Sequence, residues 1–300
     1  MVFLNKSLLT EGSSIPAPLF VTWYQCVVTV VIVSALGEVG KTAPKNSFFA
    51  QFPRYEYNWQ VARKVMPLSL IFVAMISLNN LCLQYVEVTF YQVARGLTTV
   101  FNVVFTYFIL GESTSYAAIG CCALIVAGFY VGVDNEVNFT LLGTVFGVLS
   151  SVFVTLNALY TKKISSVVDG NQWKLALYNN VNAALLFPPV IILAQEHHVL
   201  LQHVEYLTSV GYWFVMTLTG LFGFLIGIVT VFQITLTSPL THNIAGTAKA
   251  TLQTMLALVI YQNPVTWKGG MGILLVLLGS AAYTYVRNQE MNRSKPVRAG

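Results

Sequence analysis

The sequence predicts an all-α membrane protein that crosses the bilayer many times, and two observations indicate this class. Of its 300 residues, 56% are hydrophobic and only 9% are charged, whereas soluble domains carry about 25% charged residues. The charges also lie between long uncharged windows, each near the roughly 20 residues that a helix needs to cross a bilayer core. This composition excludes a disordered chain. The four cysteines, all inside apolar runs, do not fit a secreted disulfide scaffold.

The uncharged windows predict nine full membrane helices. The longest window, between Glu205 and Lys249, has room for two helices, and the sequence Thr237-Ser238-Pro239 marks the turn between them, because proline ends a preceding helix. The predicted spans are 17–36, 65–86, 88–110, 115–133, 140–160, 173–194, 209–232, 240–261 and 268–286.

Residues 1–9 predict part of a further helix. They are apolar apart from Asn5, Lys6 and Ser7, but nine helical residues extend only about 13 Å. They lack the basic leader and the small-residue cleavage site of a signal peptide. We therefore expect a tenth helix, the first in chain order, of which this sequence holds only the end.

Basic side chains in alternate loops predict the orientation of the helices. With ten helices, three base-rich segments lie on one side of the membrane, and the Lys/Arg bias makes that side cytosolic. Their bases are Lys41, Lys45, Arg54, Arg63 and Lys64; Lys162, Lys163 and Lys174; and Arg287, Arg293, Lys295 and Arg298. The net charge of +5 then reflects topology, and no nucleic-acid partner is expected. The histidine-containing segment 195–208 is expected to be a solvated loop on the opposite side.

A weak internal repeat predicts how the helices are organised. Segment 95–116 aligns without a gap on segment 246–267, at an offset of 151 positions. The two segments lie five crossings apart, and an odd spacing requires the repeats to be inverted in the membrane. Inverted repeats are typical of secondary transporters, with the substrate near the midplane. We therefore expect five-helix repeats at 1–133, with its first helix incomplete, and at 134–300, which ends in a short basic cytosolic tail.

Two basic residues, Arg95 and Lys249, lie in the interior of predicted spans, away from their ends. A base at the centre of a membrane helix costs about 2.5–3.5 kcal/mol to insert, and no predicted span contains an acidic residue to neutralise it. In the repeat alignment the two bases lie one helical turn apart on equivalent helices. We therefore expect an anionic ligand, with phosphate as the candidate. The alternative is that each base reaches a lipid headgroup.

Amide side chains cluster in two predicted spans, and their paired donors and acceptors suit a nucleobase edge. The candidates are Tyr178, Asn179, Asn180 and Asn182 in one span and Asn79 and Asn80 in the other. The alternative is hydrogen bonding between helices, worth about 0.6 kcal/mol on average. Asn179 and Asn180 point about 100° apart on a helix, so both cannot serve one helix interface, and a ligand role is favoured. No catalytic motif or metal-ligand spacing occurs, so neither an enzyme nor a metal site is expected.

At these residues the sequence resembles the nucleotide-sugar transporter family of the drug/metabolite transporter superfamily. Tyr178-Asn179-Asn180 is similar to the F-Y-N-N motif of carriers of guanine-nucleotide sugars, and 245–249 occupies the place of their G-A-L-N-K motif. Ala248 stands where that motif has asparagine, which argues against the GDP-mannose branch. The strings that resemble the GDP-fucose branch are 96–108, 142–151, 178–183, 220–227 and 238–250.

The resemblance implies a ten-helix, 5+5 inverted-repeat antiporter of the Golgi membrane, with the endoplasmic reticulum as the alternative, that needs no cofactor. Its partners would be the lipid bilayer, GDP-fucose as the imported substrate and GMP as the exported one. By the same resemblance, Asn179 and Asn180 would bind guanine, Lys249 with the backbone of Gly246-Thr247 would bind the phosphates, and Arg95 would bind the second phosphate or the sugar. The alternatives are a GDP-mannose or UDP-sugar carrier and a non-transporting membrane scaffold. The oligomeric state stays open, with a homodimer among the alternatives.

Overall fold

The computed structural model describes the chain as helices joined by short connections. The described residues are 15, 17–42, 44, 52, 58–86, 88–111, 114–134, 140–236, 249, 252–253, 255–256 and 267–294. None of these residues forms a strand, which confirms the all-α prediction.

The described part of the chain contains ten α-helices. They are α1 (Pro18–Thr42), α2 (Trp59–Tyr85), α3 (Val88–Phe105), α4 (Tyr116–Asp134), α5 (Leu141–Ile164), α6 (Gln172–Leu193), α7 (Glu196–Gln202), α8 (Val204–Thr208), α9 (Val210–Leu236) and α10 (Trp267–Ser294). A π-helical turn, Thr106–Leu110, continues α3, and a 3-10 turn, Ser165–Val168, continues α5. Helices α1, α2, α5, α6 and α10 are each long and apolar enough to cross a membrane. The protein is a multi-pass membrane protein.

The helices match the predicted spans, with one correction. Eight of the nine spans fall on a long helix, and the ends differ by a few residues because helices α1, α2 and α10 continue past their apolar windows. The span at 240–261 lies mostly outside the described residues, as does the predicted partial helix at 1–9. The expected solvated loop at 195–208 is wrong in one respect: it forms the short helices α7 and α8, and Glu196 at its start is buried.

One compact unit comprises Met1–Asn80 and Asn157–Val231. Within it, α1 lies antiparallel to α6, since Leu19 at the start of α1 shares a buried cluster with Ile191 near the end of α6. At the other end of α1, Val33 shares a cluster with Trp173. Helix α2 packs on the same helix α6, which therefore forms the centre of this unit.

The other compact unit comprises Leu81–Leu156 and Phe232–Gly300. Helices α4 and α10 touch there without intervening side chains: a Cβ atom added to Gly272 would lie 2.7 Å from the backbone nitrogen of Gly132 and 2.8 Å from the carbonyl oxygen of Gly128. Small residues at such contacts let helix backbones approach closely in a membrane. The core of this unit is completed by α3.

The contact between α4 and α10 uses equivalent faces of the two helices. Gly128 lies against Val276, and Gly279 lies against Ile125. The offset of 151 positions relates Gly128 to Gly279 and Ile125 to Val276, so residues that align in the sequence occupy matching places in the contact. Such matching is what two repeated helices would show. The division into repeats at 1–133 and 134–300 stays a prediction.

Candidate substrate-binding site

Helix α6 carries the adjacent amides, and its start is set by its own sequence. The Asn171 side chain accepts hydrogen bonds from the backbone nitrogens of Trp173 and Lys174, both at 3.0 Å, as an N-cap asparagine does. Asn179 and Asn180 follow two turns later, and both side chains are half-buried. They are therefore positioned by a capped, rigid helix and remain partly accessible.

The Asn179 and Asn180 side chains form hydrogen bonds through opposite ends of their amide groups. The Oδ1 atom of Asn179 accepts a hydrogen bond from the Ser69 hydroxyl at 2.9 Å, so its carbonyl end is occupied. The Nδ2 atom of Asn180 donates to the carbonyl oxygen of Ala176 at 2.8 Å, so its amine end is occupied. Among the described residues, the Nδ2 atom of Asn179 and the Oδ1 atom of Asn180 have no partner. Neighbouring positions therefore present one free donor and one free acceptor.

Tyr178 and Asn182 are buried and bond to the start of α2. The Tyr178 hydroxyl accepts a hydrogen bond from the backbone nitrogen of Asn58 at 3.0 Å. The Nδ2 atom of Asn182, whose residue is 0% exposed, donates to the carbonyl oxygen of Ala62 at 3.0 Å. Both side chains tie α6 to α2, which holds the Asn179–Asn180 pair in place. Their direct contact with a substrate stays a prediction.

Asn79 and Asn80 lie near the end of α2, on the helix that also carries Ser69. Asn79 is half-buried, whereas Asn80 is buried. Within the described part of the chain, the buried Nδ2 atom of Asn80 has no hydrogen-bond partner. An unpaired buried donor is costly; contact of Asn79 or Asn80 with a substrate stays a prediction.

The predicted basic residues belong to the other compact unit. Arg95 on α3 is exposed, and its Nη1 atom donates to the Tyr91 hydroxyl at 3.0 Å. No acidic side chain in the described ranges forms an ion pair with it. Lys249 is helical and exposed. Gly246 and Thr247 lie outside the described residues.

A stripe of polar side chains on α3 and the turn that continues it was not predicted from the positions of single charges. Thr99, Asn102 and Thr106 follow Arg95 at helical spacing, and Asn102 is exposed. The spacing of three or four residues, which places side chains on one helix face, is a signal that the sequence alone contains.

Comparison with known proteins identifies the family of the chain. The family model described as the Triose-phosphate Transporter family matches residues 1–284. The chain belongs to this family. Members of the family are transporters, so the protein is a transporter and not an enzyme. A solved crystal structure that is 16% identical in sequence shares the fold, with a TM-score of 0.51 over 95% of each chain.

Several curated relatives are similar over nearly the whole of this chain. A protein of Nematostella vectensis named GDP-fucose transporter 1 is 48% identical over 100% of this chain and 88% of the relative. A GDP-fucose transporter of Caenorhabditis elegans is 50% identical over 98% of this chain and 80% of the relative. A Drosophila melanogaster protein named "GDP-fucose transporter, Golgi" is 42% identical over 99% and 89%. The resemblance to nucleotide-sugar transporters is thereby confirmed.

Proposed function

We propose that the protein exchanges GDP-fucose for GMP across the Golgi membrane by alternating access. The observation that carries this proposal is the name shared by relatives 48–50% identical to nearly the whole chain, GDP-fucose transporter. The Golgi location rests on the name of the Drosophila relative. GMP is the counter-substrate that the family resemblance implies, since it retains the guanine and one phosphate.

The free atoms of the Asn179–Asn180 pair suit guanine. Guanine presents the O6 acceptor beside the N1–H donor on one edge. The free Nδ2 atom of Asn179 would donate to O6, and the free Oδ1 atom of Asn180 would accept from N1–H, because an asparagine amide has a donor end and an acceptor end. Adenine presents the reverse order at the same edge. This pair would therefore distinguish the two purines.

The two bases suit the phosphates. Arg95 and Lys249 are both exposed in their unit, and a membrane-embedded base without an acidic partner favours an anionic ligand. A guanidinium donates two parallel hydrogen bonds to a phosphate, whereas an ammonium acts as a point charge. We propose that Lys249 binds the phosphate common to GMP and GDP-fucose and that Arg95 binds the second phosphate. Gly246 and Thr247 would contribute backbone donors beside Lys249.

Counterflow into liposomes tests the exchange. The reconstituted chain, in liposomes loaded with GMP, should accumulate labelled GDP-fucose, and empty liposomes should not support this uptake. Lys249→Ala should lower uptake at least tenfold, because a charge-assisted hydrogen bond to phosphate is lost. The matched control is Lys268→Ala, an exposed lysine at the start of α10, which should leave uptake unchanged. Full uptake by Lys249→Ala would refute the phosphate role.

Competition between nucleotides tests how the base is recognised. IMP keeps O6 and N1–H and should compete about as well as GMP, while AMP and UMP should compete poorly. Asn179→Asp replaces the free donor with an acceptor that faces O6, so it should weaken GMP competition about tenfold or more. If AMP competes as well as GMP, the proposed reading of the guanine edge is wrong.

Competition by nucleotide sugars separates the proposed function from the alternative carriers and from a non-transporting scaffold. Preference for GDP-mannose or UDP-sugars over GDP-fucose would identify a carrier with another substrate. A membrane scaffold would bind no nucleotide, whereas a transporter should be stabilised by GMP against thermal unfolding in detergent. At a ligand concentration of 100 Kd that stabilisation is about 2.7 kcal/mol.

A further inference from the structure

The second half of helix α3 has one polar face. At about 100° per residue, every polar side chain between residues 95 and 106 falls within an arc of about 100°. These side chains are Arg95, Thr98, Thr99, Asn102 and Thr106. The other residues of this segment are glycine and apolar residues. Such a division is unusual in a helix that crosses lipid, where all faces are normally apolar.

Part of the apolar face packs against neighbouring helices. Leu97 of α3 shares a buried cluster with Ile125 of α4 and Val276 of α10. Along one edge of the polar arc, the Thr155 hydroxyl of α5 donates to the carbonyl oxygen of Thr98 at 3.2 Å. The middle of the arc, which contains Arg95 and Asn102, is exposed on this unit. Exposed polar groups are costly against lipid, so an α3 that spans the membrane, as the sequence predicts, would turn this face toward water.

Asn102 lies on this polar face and is exposed. Its Oδ1 atom lies 3.4 Å from the Thr106 hydroxyl, a long and weak hydrogen bond. In the described part of the chain, its Nδ2 atom has no partner. The side chain therefore offers two free donor hydrogens and a remaining acceptor lone pair. Sugar hydroxyls both donate and accept hydrogen bonds, so they match these donor and acceptor groups.

We propose that Asn102 binds the sugar hydroxyls of the nucleotide sugar and thereby contributes to sugar recognition. This inference rests on the proposed function. Asn102 lies seven residues beyond Arg95 on the same face, about 10 Å along the helix axis. If the long Arg95 side chain binds the second phosphate, Asn102 at this distance can bind the adjoining pyranose ring. In the repeat alignment Asn102 falls on Gln253, so the equivalent helix also has an amide there.

Two transport assays in parallel test the inference, since GMP carries no hexose. The full chain is reconstituted with GMP inside, and uptake of labelled GMP and of labelled GDP-fucose is measured. Asn102→Ala should lower GDP-fucose uptake about tenfold, the effect of one lost hydrogen bond to the substrate, and should leave GMP exchange within about twofold. Val104→Ala, at an exposed position on the opposite face of α3, should change neither.

The outcomes separate the inference from the function on which it rests. Retained GMP exchange by Asn102→Ala also shows that the variant is folded. No change in either uptake, or an equal loss of both, would overturn the assignment of Asn102 to the sugar. If the unaltered chain exchanges GMP but takes up no GDP-linked sugar, the proposed function itself fails.

Discussion

Glu196 caps helix α1 from 177 residues away in the sequence: its Oε1 atom accepts a hydrogen bond from the backbone nitrogen of Leu19 at 3.0 Å. Its Oε2 atom accepts from the backbone nitrogen of Phe20, also at 3.0 Å. The first N–H groups of a helix lack partners within the helix, and the helix dipole favours a negative charge there. The carboxylate thus fastens the start of α1 to the segment that follows α6.

Removing this cap should destabilise the protein. Glu196→Ala leaves the backbone N–H groups of Leu19 and Phe20 without partners, which costs about 0.5–2 kcal/mol by analogy with local caps. We expect the apparent Tm in detergent to fall by about 2–4 °C or more. Glu205→Ala is the control, because Glu205 is exposed in the neighbouring helix α8. Equal losses in the two variants would show that the cap contributes nothing.

The same residue should make stability depend on pH. Burial raises the pKa of the Glu196 carboxyl above its ordinary value of 4.5, and the hydrogen bonds from Leu19 and Phe20, which lower it, only partly offset this effect. Because the folded protein then holds the proton more tightly than the unfolded chain, stability should fall as pH rises from about 4.5 through the raised pKa.

Glu196→Gln isolates that pH dependence. The glutamine cannot ionise, so the difference in Tm between the natural chain and the variant should change across this pH window and be constant above it. His197 and His198, which follow in α7, are present in both proteins and cancel in the difference. A constant difference from pH 4.5 to neutrality would contradict the expected titration.

Asn182 should tolerate an apolar replacement better than a charged one. Its side chain is fully buried with one hydrogen bond, to Ala62, and its Oδ1 atom is unpaired among the described residues. Asn182→Leu keeps the branching and the number of heavy atoms and removes the unpaired acceptor, but its methyl groups need more room, so the loss should be about 1–2 kcal/mol. Asn182→Asp adds an unpaired buried charge and should cost about 3 kcal/mol or more. Melting curves that coincide for the two variants would refute this account.

The contact between α4 and α10 should be intolerant of any side chain. A Cβ atom at Gly272 would lie within 2.9 Å of three backbone atoms of α4, and backbone cannot give way as a side chain can. Gly272→Ala should therefore cost about 1–3 kcal/mol through forced separation of the helices. Gly120→Ala on α4 is the matched control, since nothing lies within 4 Å of its Cβ position. That variant should be neutral or gain about 0.5–1 kcal/mol, and a melt that ranks the two in the opposite order would contradict the close approach.

The membrane helices could be predicted because their signal is local. An apolar window of about 20 residues can satisfy its backbone in lipid only as a helix, so the windows between charges located α1 to α6, α9 and α10 to within a few residues. The polar arc of α3 was equally visible in the residue spacing. The short helix that begins at Glu196 was not predictable, because its burial depends on Leu19 and Phe20, which are remote in the sequence.

The sequence by itself determined the class of the protein, its family and the position of most of its long helices, whereas the amides and bases that would bind a guanine nucleotide stay a prediction. These follow from composition, window length and motif residues, all of which act within one segment. Only the tertiary structure decided which end of each amide is free. Ser69, on another helix, occupies the Oδ1 atom of Asn179, whereas Asn180 bonds back to its own helix at Ala176. Whether a polar side chain is available to a ligand depends on what packs against it, and that is a property of the folded chain.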